Sequence, residues 1–87
     1  MIEAANENLS YLEYSNETFG DLELCNFEGT KFMTCAFTGI ASCNFTDAAF
    51  VDCDFSGGTF NGCNFTGATG VTEEDITGEA NNFGEDV

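Results

Sequence analysis

The residues of this chain best suited to chemistry are five cysteines and sixteen carboxylates. The cysteines are Cys25, Cys35, Cys43, Cys53 and Cys63, spaced ten, eight, ten and ten apart. Structural zinc sites use pairs of ligands two to four residues apart, usually with histidine, and this sequence has no histidine. A catalytic thiol needs a neighbouring base or cation, and Lys31 is the only basic residue. The run Asp52-Cys53-Asp54-Phe55-Ser56-Gly57 resembles the opening of a calcium loop, but Cys63 stands where a bidentate Glu is required. No phosphate-cradling glycine loop, nucleophile–base pair or isolated carboxylate dyad is present. The sequence is therefore read as non-enzymatic, with no metal or cofactor, and its thiols as small inward-facing apolar groups.

Charge excludes further classes. The 87 residues carry 16 Asp+Glu against one Lys, a formal net charge of −15. Such a chain cannot neutralise a row of phosphates, so direct nucleic-acid binding is excluded, as is attraction to an anionic membrane. Hydrophobic content of 43 % with ten Phe argues for a folded chain, and the length supports one small domain. No apolar run reaches spanning length, and the start, Met1-Ile2-Glu3, lacks the marks of an export signal. A cytoplasmic location with reduced thiols is expected. The Asn-x-Ser/Thr matches at Asn8, Asn16, Asn44 and Asn64 are then coincidental.

The elements that position these residues follow from a period of five. Phe occurs at 27, 32 and 37, preceded by Leu22, and at 45, 50, 55, 60 and 65, preceded by Ile40. Each Cys lies two residues before one of these centres. Five fits neither a helix nor a strand, so the chain must turn a corner every five residues. The units Cys25-Asn26-Phe27-Glu28-Gly29, Cys43-Asn44-Phe45-Thr46-Asp47, Cys53-Asp54-Phe55-Ser56-Gly57 and Cys63-Asn64-Phe65-Thr66-Gly67 resemble pentapeptide repeats. The resemblance covers about residues 22–67. It implies an all-β, right-handed quadrilateral β-solenoid of about three coils, with the centre and the small residue two before it pointing inward.

Phe37 and Ile40 are only three apart. Either Ile40 marks a full, shortened side, or residues 38–42 bulge and the sides shift by one. The first is preferred, because it stacks three identical Cys-Asn-Phe triplets, and like residues stacked along a solenoid repeat one packing solution.

Flanking segments are expected to differ. Leu9, Tyr14 and Phe19 keep the spacing, but Glu7 and Glu17 would fall at inward places, and a buried lone carboxylate is costly. Residues 1–21 are therefore expected to form an acidic cap or irregular first coil. Residues 68–77 are expected to close the solenoid with a short helix capped by Thr72, with Glu73, Glu74 and Asp75 in its first turn. Residues 78–87 are expected to be a mobile acidic tail.

The charge suggests a function. Some members of the resembled family, the quinolone-resistance and gyrase-inhibitor types, are rods that imitate B-form DNA. By resemblance this chain is expected to inhibit a nucleic-acid-binding protein by occupying its basic groove. The expected target is of nuclease, CRISPR effector, restriction or topoisomerase type, with a phage anti-defence role; because the chain is shorter than those gyrase binders, a compact groove suits it better than gyrase. The candidate phosphate mimics are Glu13, Glu17, Asp21, Glu23, Glu28, Asp47, Asp52, Asp54, Glu73, Glu74 and Asp75. Ten sides would make about 12 Å of rod at roughly 4.8 Å per coil, a length of duplex with about seven charges. Residues 22–67 supply −4, so the acidic ends, or an end-to-end homodimer rather than a monomer, must supply the rest. The alternative is a structural or adaptor module recognised through Met33 and Val51, predicted to stack outward beside Lys31 and Ala49.

Overall fold

The computed structural model describes residues 2–84. The chain winds as a β-solenoid with extents of 36 × 25 × 24 Å. Its strands are short: β1 (Ile2–Ala5), β2 (Glu13–Ser15), β3 (Thr18–Glu23), β4 (Lys31–Met33), β5 (Ala36–Phe37), β6 (Gly39–Ala41), β7 (Ala49–Val51) and β8 (Thr59–Asn61). All pairing is parallel and joins one coil to the next. One sheet runs β1-β3-β6-β8, with β5 also on β3, and the other runs β2-β4-β7.

Four stacks of inward side chains follow from this register. The first side stacks Leu9, Phe27, Phe45, Phe65 and Phe83, anchored by bridges between Asn8, Asn26, Asn44, Asn64 and Asn82. The second stacks Tyr14, Phe32 and Phe50. The third stacks Ile2, Phe19, Phe37 and Phe55. The fourth stacks Ala4, Leu22, Ile40 and Phe60. Rings within a stack lie nearly parallel, as in Phe27–Phe45 at 5.2 Å and Phe45–Phe65 at 5.1 Å. Rings from different sides meet edge-on, as in Phe19–Phe32 at 5.4 Å and 85°. Aromatic pairs in these geometries add about 0.5–1.5 kcal/mol each beyond area burial. That is how an 87-residue chain without a disulfide fills its core.

Register settles the junction at Phe37. Asn26 pairs with Asn44 eighteen residues on, whereas Asn44 pairs with Asn64 twenty residues on. Ile40 is a full side, pairing with Leu22 below and Phe60 above. The shortened side recurs one coil earlier, between Phe19 and Leu22. The alternative bulge at 38–42 does not occur, and the Cys-Asn-Phe triplets stack in line.

Of the two forms expected of residues 1–21, a cap or an irregular first coil, the coil is found, and the mobile tail expected at 78–87 is corrected over the described residues. The N-terminal segment is a coil: Tyr14 packs on Phe32, and Glu7 and Glu17 accept backbone hydrogen bonds from Asn26 and Ala36, both at 2.9 Å. Their side chains are exposed. The inward rule that makes a corner carboxylate costly relaxes in a terminal coil, where the corner opens to solvent. At the other end, residues 78–84 are ordered into a further coil. Phe83 stacks on Phe65 at 4.9 Å, and Phe65 N–H donates to Asn82 O at 2.6 Å. Asn81-Asn82-Phe83 repeats the Cys-Asn-Phe triplet with Asn81 in the cysteine's place. The Asn81 side chain accepts from Cys63 N–H and donates to Phe60 O, closing the column. Glu85, Asp86 and Val87 lie outside the described residues. The expected short helix is a single 3-10 turn, Glu73–Asp75, entered through Thr72, whose N–H donates to the Asp75 carboxylate at 2.9 Å.

Close backbone approach fixes particular glycines. A Cβ on Gly58 would lie 2.1 Å from Phe37 O, and one on Gly70 would lie 1.8 Å from Phe50 O. Gly70 replaces a large centre because the chain there crosses directly over the coil beneath.

Candidate partner-binding surface

The cysteines are structural. Cys25, Cys35, Cys43 and Cys63 are buried and Cys53 is half-buried. Their Sγ atoms face backbone carbonyls, as Cys35 does Met33 O and Cys53 does Phe32 O. Burial pushes the Cys43 thiol up to about 12 and raises those of Cys53 and Cys63. A thiol held protonated is a poor nucleophile. Among the described residues, no group of three or more His, Cys, Asp or Glu is placed to hold a metal ion. No helix among them is long and apolar enough to cross a membrane.

An Asn ladder orders the outer surface of the first side. Asn8, Asn26, Asn44, Asn64 and Asn82 each accept, at Oδ1, the N–H two residues on. These Asx turns hold each corner locally. Along the stack, Asn44 Nδ2 donates to Asn26 Oδ1 at 3.1 Å and Asn26 Nδ2 to Asn8 Oδ1 at 3.3 Å. Asp54 makes the same turn on the third side, accepting from Ser56 N–H and Oγ–H. Those donors hold its carboxyl below the ordinary range.

The candidate acids are distributed around the rod rather than along one stripe. On the first side, Glu28 and Asp47 flank Tyr11, whose ring covers Gly29. The Glu28 charge, then burial and a hydrogen bond to Glu28, push the Tyr11 hydroxyl above 10.0. On the second, Glu13 pairs in register with Lys31, and Asp52 turns a corner with φ of 52°. Glu17 precedes β3, and Asp21 and Glu23 border an open depression on the fourth side with Gly39, Ala41, Thr59 and Asn61. Asp54, Glu74 and Asp75 share a cleft with Cys53, Phe55, Ser56 and Thr77. Glu73 lies across the turn, beside Ile76, Ala80 and Asn81. Met33 and Val51 stack outward in register, as do Lys31 and Ala49, with Val51 44 % exposed.

Sequence reasoning missed Tyr11, Asn81 and the cleft. Asn82-Phe83 was legible as an Asn-Phe pair eighteen residues after Asn64-Phe65, which puts Asn81 in the place of Cys63. The cleft had no such signal, because it depends on which strand of the last coil fails to form.

Parallel coils with a five-residue period and inward Phe define a repeat solenoid. A family model described as pentapeptide repeats (8 copies) matches residues 41–69, so that segment is similar to pentapeptide repeats. The coils continue beyond the matched span in both directions, to Ile2 and to Phe83. No curated protein and no solved structure matches the chain.

Proposed function

We propose that this protein is an acidic decoy that occupies the nucleic-acid groove of another protein and inhibits it. The observation that carries the reading is the near-pure charge of −15 on a solenoid whose longest extent is 36 Å. B-form DNA of that length carries about 21 phosphates at one per ~1.7 Å. Glu3, Glu7, Glu13 and Glu17 lie in the first turns of the solenoid and add their charge to that of the later coils. Acids on all four sides suit a groove that wraps a duplex more than a flat surface. Pentapeptide-repeat solenoids are a protein-interaction type of fold, consistent with a non-enzymatic role.

The test is competition. Labelled duplex bound to basic-groove proteins (nucleases, CRISPR effectors, restriction enzymes, topoisomerases) is expected to be displaced, with affinity falling steeply as salt rises. Replacing Glu23, Glu28, Asp52 and Asp54 by Gln or Asn is expected to abolish displacement. Displacement insensitive to salt and to those changes refutes the decoy.

The second reading, an adaptor recognised through the second side, is favoured by the aligned Met33–Val51 pair. It predicts salt-tolerant binding that is lost on Met33→Asp.

A further inference from the structure

The last coil covers the one beneath it on three sides out of four. Phe45 N–H donates to Asn64 O, Phe50 N–H to Thr69 O and Phe60 N–H to Thr77 O. Each bond marks a segment of the following coil laid over a side of its predecessor. On the third side, Asp54 spends both its backbone groups downward: its N–H donates to Cys35 O and its C=O accepts from Phe37 N–H. Strand alternation therefore turns Phe55 N–H and Cys53 C=O toward the position above. Among the described residues, no backbone carbonyl meets Phe55 N–H. The segment that belongs there, Glu73–Asp75, has wound into a 3-10 turn closed by Asp75 N–H to Thr72 O and Ile76 N–H to Glu73 O.

Side chains register the same gap. Cys53 is half-buried where Cys35 beneath it is 1 % exposed, and Phe55 is 7 % exposed where Phe37 beneath it is 1 %. The cleft is walled by Asp54, Ser56, Glu74, Asp75 and Thr77. An open sheet edge is a template for pairing with another chain.

We propose that this open rung takes an extended segment of a partner protein as an added strand, with Lys or Arg at the position stacking on Asp54. The backbone supplies the pairing and the surrounding carboxylates supply the selection for a basic residue. The pleat sets the rest of the pattern. Residues on either side of that Lys or Arg turn inward over Cys53 and Phe55, so they are apolar. The recognised motif is apolar–basic–apolar in extended conformation. It rests on the uncovered edge and does not depend on imitation of DNA.

The probe is an eight-residue peptide of alternating Val and Lys, with two controls: alternating Val and Glu, and the Val-Lys peptide N-methylated on its backbone. Amide exchange by NMR is the first readout. In the free protein, Phe55 N–H is expected to exchange at least about tenfold faster than those of Phe45, Phe50 and Phe60. Saturating Val-Lys peptide is expected to slow it to their level, and the controls are not. Asp54→Asn and Glu74→Gln are each expected to weaken binding about threefold without unfolding the protein, since Asn makes the same turn at position 44. Phe55 N–H already as protected as Phe45 N–H overturns the proposal. So does equal binding of the N-methylated peptide, which would mean attraction between charges without strand pairing.

Discussion

Single residues show where this chain is strained and where it is anchored. Among the described residues, ten non-glycine residues have positive φ, including Leu24, Thr34, Asp47 and Asp52. Most stand two places after a centre, so the corner geometry, and not residue preference, sets their conformation. A left-handed residue with a Cβ costs roughly 1–2 kcal/mol, and a β-branched one is the least suited. Thr34→Asn is therefore expected to raise Tm by a few degrees in thermal unfolding, since Asn tolerates that region. Asn44 is an anchor. Its Oδ1 accepts from Thr46 N–H and hydroxyl, and its Nδ2 donates to Asn26. Asn44→Ala is expected to cost about 1–3 kcal/mol in denaturant unfolding, because several half-buried partners lose their bonds together.

Elements stack because the chain keeps both a period and a clearance. Where the backbone of one coil touches the next, only glycine fits. Gly58→Ala drives a methyl into Phe37 O, and a loss of about 2 kcal/mol or more is expected, measured by the denaturant midpoint. Gly57, with nothing within 4 Å of the same test atom, is the control, and Gly57→Ala is expected to be near neutral. The final coil is likewise structural. Deleting residues 78–87 removes Phe83 from Phe65 and Asn81 from Cys63, exposing the last ring of the longest stack. That deletion is expected to lower Tm, whereas removal of a mobile tail would leave it unchanged.

The whole molecule responds to pH and salt through its thiols and its charge. The Cys43 thiol titrates near 12 in the folded chain and near 9.0 when exposed. A thiol with a raised folded value contributes stability that is full below 9.0 and is lost as pH rises toward 12. Base unfolding is expected in that window, and Cys43→Ala is expected to shift its onset upward in a pH titration by circular dichroism. Asp54 has the opposite sign. Its folded value is lowered, so its contribution is present at neutral pH and disappears as pH falls through that value. Self-repulsion of fifteen net charges acts on the entire rod, so added salt is expected to raise Tm at neutral pH.

The sequence alone determined the repeat, the inward residues and the stacking of the Cys-Asn-Phe triplets. Inwardness is set by the five-residue corner, and a side chain's type reports it directly, as Phe27, Phe45 and Phe65 do. Composition determined the charge, and charge is independent of fold. Tertiary structure decided the ends. Glu7 and Glu17 are admitted because no neighbour closes their corners, a property of a coil's place in the stack and not of its residues. Phe83 is ordered because Phe65 lies beneath it, eighteen residues away in sequence. The open rung above Cys53 and Phe55 was decided there too. Whether residues 73–75 lay a strand or wind a 3-10 turn is a competition between local capping by Thr72 and Asp75 and pairing with a distant edge. Only the assembled rod presents both competitors at once.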